Sequence, residues 1–178
     1  MILGLTLQQF TQLHVVISLV AIVAGVIAFY GALSSSRLRF WTGLFLVTTI
    51  LTSVTGFMFP AVSVTPAQIF GYLSLAVLAL AVLALYAFRL NSVWRLVYVV
   101  TGMIALYLNV FVLVVQGFQK VRVLNALAPT GSGPAFFIAQ GIVFVLFLTF
   151  GYLAARRFHP ERLSESAMSS RAAGGGAR

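Results

Sequence analysis

Cysteine is absent from this chain, and so is aspartate. Without thiols there are no disulfides, no thiol redox chemistry and no Cys-ligated metal. The compartment stays undecided, because a thiol-free chain suits either redox environment. Acid is almost missing: the two carboxylates are Glu161 and Glu165, both near the C-terminus. An intramembrane hydrolase of the aspartyl type is therefore excluded. A proton relay or cation-coupled transporter would lack the intramembrane carboxylate such proteins ordinarily use. Only 7% of residues are charged, against about a quarter in a soluble domain. A soluble globular chain of 178 residues needs a polar shell, so the deficit excludes an ordinary soluble fold.

What is present is apolar length. Hydrophobic residues make up 61% of the chain. Five runs reach the roughly 20 residues that a helix needs to cross a hydrocarbon core: about 10–33, 40–59, 67–88, 93–118 and 135–155. Backbone groups in lipid must be paired within the segment, so each run is expected to be a helix. The runs are continuously apolar rather than alternating, which argues against a β-barrel. The expected fold class is all-α, an integral membrane bundle over 1–158 followed by a flexible basic tail, 159–178, rich in Ser, Ala, Gly and Arg. The first run lacks a basic flank before it, is long, and is followed by Arg37 and Arg39. It reads as a retained anchor rather than a signal peptide.

Charge supplies the orientation. With five crossings, Arg37, Arg39, Arg89, Arg95, Arg156, Arg157, Arg162, Arg171 and Arg178 fall on one side, and Lys120 and Arg122 on the other. The positive-inside rule then places the N-terminus outside and the C-terminus in the cytoplasm. The net charge of +9 is thus read as topology signal and lipid-headgroup contact rather than nucleic-acid binding, because no aromatic-interleaved basic patch is present.

Polar groups inside hydrocarbon each need a partner, a cavity or a reason. With this topology His14, Ser18, Thr52, Thr55, Gln68, Tyr72, Gln116 and Gln140 lie in outer halves of their helices, and Asn109 lies near the middle. The expectation is a polar pocket opening outward, drawn from His14, Ser18, Thr52, Tyr72, Asn109, Gln116, Lys120 and Gln140, with Lys120 and Arg122 at its rim. A plainer reading stands beside it. Thr and Ser in membrane helices commonly bond their own backbone carbonyls, a Gln near a helix end meets headgroups, and a lone His is commonly structural. His14 has no second intramembrane histidine to complete a bis-His haem, since His159 lies at the opposite side. No metal-ligand set and no nucleophile motif is legible, and the sequence names no cofactor. Enzyme activity is unsupported.

The stretches Thr48 to Phe57 (TTILTSVTGF), Tyr107 to Gln116 (YLNVFVLVVQ) and Leu127 to Thr130 (LAPT) resemble a group of small bacterial inner-membrane proteins without assigned activity. The resemblance extends over nearly the whole chain. It implies a polytopic helical protein of the bacterial inner membrane, and no catalytic residue.

Three functions follow as expectations. The first is binding of a lipid or quinone-like ligand in the outer pocket, with membrane lipids as partners. The second is a structural or assembly subunit, packing as a homo-oligomer or against another membrane protein through Gly25, Gly31, Gly43, Gly56, Gly102 and Gly141. The third is a channel or transporter, for which the chain is short and lacks inverted repeats.

Overall fold

The computed structural model describes residues 2–60, 66–128 and 133–159. The uncharged connection at 61–65, the turn residues Pro129 and Gly131, and the basic tail from 160 onward lie outside the described residues.

Five long helices account for the architecture: α1 (Leu7–Leu33), α2 (Arg39–Phe57), α3 (Pro66–Val82), α4 (Val93–Lys120) and, after the short α5 (Arg122–Leu127), α6 (Pro134–Arg157). No strand is found among the described residues, only a single bridge between Ile2 and Leu5. The five long helices, α3 counted through the turn that continues it, are long and apolar enough to cross a membrane. Their bounds differ from the sequence reading by a few residues, for local reasons. α1 begins earlier because Thr6 and Gln9 form a capping box, with the Gln9 N–H donating to Thr6 Oγ1 at 3.2 Å and the Thr6 N–H donating to Gln9 Oε1 at 3.0 Å. This satisfies two amides otherwise left open at a helix start. α2 stops at Phe57, short of Phe59, whose following proline disfavours helical backbone. α3 continues as a π turn over Leu83–Ala87, closed by the Phe88 N–H donating to the Leu83 carbonyl at 3.0 Å. The sequence carried no sign of that turn.

Consecutive helices run antiparallel. His14 meets Thr55 and Gly25 meets Phe45 across α1 and α2. Phe70 meets Phe111 across α3 and α4, and Gly151 meets Met103 across α6 and α4. α4 is the centre, touching α1, α2, α3 and α6, whereas α6 packs on α4 and α1. α6 is the least enclosed of the five, with only Gln140 and Ala154 buried.

The bundle has two unlike ends. The basic end holds the α1–α2 and α3–α4 connections and the close of α6. There Phe29, Phe45, Leu85, Tyr98, Leu106 and Phe158 are buried in one cluster. The α6 terminus is tied in twice: Arg95 donates to the Phe158 carbonyl, and the His159 N–H donates to Ser35 Oγ at 2.7 Å. Toward the amino end, where α1 begins, His14 meets Thr55 and Gln140 meets the Phe111 carbonyl.

Small residues bring α1 close to its neighbours. Ala21, Ala24, Gly25, Ala28 and Ala32 repeat at helical spacing and are all buried, so backbones approach where larger side chains would hold them apart. The glycines grouped together by sequence now separate. A Cβ on Gly25, Gly31 or Gly102 would come within 2.6–2.7 Å of a neighbouring side chain, on Gly56 it would make an ordinary 3.7 Å contact, and on Gly43 or Gly141 it would meet nothing.

Candidate functional site

His14 sits two turns into α1 and reaches across to α2, where its Nδ1 lies 2.7 Å from Thr55 Oγ1. The Thr55 hydroxyl has one proton, and it is already directed at backbone oxygen: Leu51 O at 2.7 Å and Thr52 O at 3.2 Å. Thr55 Oγ1 therefore accepts, and Nδ1 of His14 donates. In the neutral ring the proton on Nδ1 leaves Nε2 as a bare acceptor. Among the described residues Nε2 has no hydrogen-bond partner. The ring is held on its other side by Phe59, edge-on at 5.3 Å, which leans on the fully buried Phe10 at 5.1 Å. The imidazole is thus oriented by a hydroxyl and an aromatic wall, with one ring nitrogen uncommitted.

The remaining polar positions do not form one network among the described residues. Asn109 Nδ2 donates to Thr49 Oγ1 at 3.4 Å, a long bond to a side chain with no exposure. Gln140 Nε2 donates to the Phe111 carbonyl at 3.1 Å, while its buried Oε1 lacks a partner. Ser74 Oγ on α3 is buried and likewise without one. Ser18 donates to Val15 O at 2.8 Å and Thr52 to Thr48 O at 2.8 Å, within their own helices. Thr48, Ser53 and Thr101 do the same, the local back-bonding expected of hydroxyls in apolar surroundings. Tyr72 is exposed, its ring 4.6 Å from that of Phe57. Gln116 and Lys120 are exposed on α4.

Sequence reasoning placed His14 and Asn109 as candidates but did not supply their partners. Thr55 and Thr49 lie 41 and 60 residues away, and nothing in local spacing links them. The aromatic wall of Phe10 and Phe59 was missed altogether. Its one available signal is that both rings fall within a turn of a helix end.

Ser18 is engaged with its own helix, and no carboxylate lies among the described residues. No group of three His, Cys, Asp or Glu side chains stands together there either, so those residues build no metal centre of that kind. What the residues do bring together is an oriented imidazole acceptor and the ring of Phe59 beside it. Comparison with known proteins gives no counterpart: no family model, no curated protein and no solved structure matches the chain.

Proposed function

We propose that this is a five-span protein of the bacterial inner membrane, with its amino end outside and its basic end cytoplasmic, that binds an amphipathic lipid or quinol-type ligand at His14. The observation that carries the ligand reading is the polarity of the His14–Thr55 pair. A neutral ring with Nδ1 donating offers only an acceptor at Nε2, so the favoured ligand brings a donor. A hydroquinone hydroxyl or a phospholipid headgroup ammonium qualifies, whereas an oxidised quinone carbonyl does not. Phe59, backed by the buried Phe10, supplies the apolar surface beside it. The binding is non-enzymatic in this reading.

The test is retention. Protein purified in mild detergent is extracted and assayed by mass spectrometry for quinols and aminophospholipids, which separates the two sources of the donor. Wild type is expected to keep one of them near stoichiometry. His14→Leu is expected to lower retention up to about tenfold, the effect of losing one hydrogen bond of about 1.4 kcal/mol. Equal retention by the variant, or a wild type that carries neither ligand, sinks the reading and leaves an assembly subunit as its successor.

Orientation has its own test, made simple by the absence of cysteine. Gln8, Gln119 and Asn91 are exposed, the first two at the amino end and the third at the basic end. Gln8→Cys and Gln119→Cys are expected to react with a membrane-impermeant maleimide in intact cells. Asn91→Cys is expected to react only after permeabilisation. The reverse pattern would invert the topology and move the His14 site to the cytoplasmic leaflet.

A further inference from the structure

Between α4 and α6, along the half of their contact nearer the basic end, lies a crevice of about 380 Å³. Met103 and Tyr107 line it from α4, and Phe147, Gly151, Tyr152 and Ala155 from α6. Within it Gly151 faces Met103, where an added Cβ would stand 3.1 Å from Met103 Cγ, and Ala155 follows one turn further on.

Three features select an occupant. The first is size, which lies at the small end of the about 300–1,000 Å³ range of ligand sites. The second is extent. The lining runs from Phe144 to Ala155 on α6, about 16 Å at 1.5 Å per residue, which is half of a hydrocarbon core about 30 Å thick. The α4 wall, Val100 to Tyr107, is shorter at about 10 Å, so the crevice occupies the part of one leaflet nearer mid-membrane and opens toward the basic end along α6. The third is charge. At the basic end the Arg156 guanidinium stands 5.2 Å over the ring of Tyr152, itself part of the lining. Arg156 makes no hydrogen bond to a described residue, while neighbouring Arg95 is engaged with the Phe158 carbonyl. The only acids of the chain, Glu161 and Glu165, lie outside the described residues.

We propose that the α4–α6 crevice seats one acyl chain of an anionic phospholipid of the basic-side leaflet, whose phosphate rests on Arg156. An apolar slot beneath a cation that makes no hydrogen bond to a described residue matches that amphiphile in polarity and sign. This site lies at the opposite end of the bundle from His14 and does not depend on the ligand reading made there.

The test is a lipid titration of the delipidated full-length protein, followed by native mass spectrometry. Phosphatidylglycerol and phosphatidylcholine of identical chains are compared. Wild type is expected to prefer phosphatidylglycerol about fivefold, as one basic side chain near an anionic headgroup provides. Arg156→Gln is expected to abolish the preference while phosphatidylcholine binding persists. Ala155→Phe, which fills the slot, is expected to weaken both lipids. Arg39→Gln, an exposed cation on α2, is expected to change neither. Equal binding of the two lipids by wild type, or a preference that survives Arg156→Gln, overturns the proposal. So does a dimer dispersed by Ala155→Phe, because a second copy would then be the occupant.

Discussion

Phe29→Ala is expected to destabilise the bundle by about 2–4 kcal/mol. Phe29 has no exposure, packs edge-on against Phe45 at 5.8 Å, and stacks on Tyr98 at 5.9 Å. In water such a truncation removes the transfer energy of the ring and leaves a cavity, about 3–5 kcal/mol together. Helices separated in a bilayer leave the ring in lipid, so the transfer contribution shrinks and the packing contribution remains. The value therefore falls somewhat below the range for soluble proteins. Gly102 supplies an internal control, because a Cβ there would stand 2.6 Å from Phe29 Cζ. Gly102→Leu alone is expected to cost about 1–3 kcal/mol by overpacking. Combined with Phe29→Ala, the leucine enters the space the ring vacated, and the double variant is expected to be more stable than the two single costs together imply. Reversible unfolding in mixed detergent–SDS micelles, followed by circular dichroism, measures all three. Strict additivity would show that the ring and the glycine do not share that space.

Gly25→Leu is expected to cost about 1–3 kcal/mol or to disrupt the α1–α2–α4 contact outright. A Cβ at Gly25 would come 2.6 Å from Leu106 Cδ1 and 2.8 Å from Phe45 Cδ2. Both neighbours are fully buried, so neither side chain can swing into open space. Gly43→Leu is the matched comparison, on a face where an added Cβ meets nothing within 4 Å. There the change should be within about 0.5 kcal/mol of neutral, or mildly stabilising because leucine is the better helix former. The same unfolding assay reads the difference. A Gly25 variant no worse than the Gly43 variant would contradict the close three-helix approach. The contrast also bears on the assembly expectation: Gly25, Gly31 and Gly102 are already spent within the protomer, which leaves Gly43 and Gly141 free on outer faces.

Much of the candidate site was legible as residue types and little of it as partnerships. His14 stood out because an imidazole in an apolar run is costly and therefore conspicuous. Its tautomer, and with it the kind of ligand it favours, depends on Thr55 donating to the backbone of α2, which no reading of α1 could supply. Asn109 reads from the sequence as an amide in need of a partner, and Gln140 as a pocket candidate whose plainer reading is a headgroup contact. Their acceptors, Thr49 Oγ1 and the Phe111 carbonyl, come from different helices. Asn125, whose side chain donates to the Phe118 carbonyl at 3.1 Å and braces the turn between α4 and α5, drew no notice, since it lies beyond the fourth apolar run.

Sequence alone determined the five helices, because apolar length and the need to pair every backbone group are properties of a segment taken singly. It also determined the unequal distribution of cations between the two ends, which depends only on where the connections fall. The tertiary structure decided which face of each helix is enclosed. In α1 the exposed residues Val15, Val16, Leu19, Val20 and Val23 are as apolar as the buried Ala21, Ala24 and Ala28. Lipid and protein interior accept the same side chains, so hydrophobic periodicity does not separate them. What separates them is size and fit, and those become defined only when α1, α2 and α4 meet. For the same reason the aromatic wall beside His14, the division of the glycines into packed and free, and the crevice under Arg156 all belong to the folded bundle.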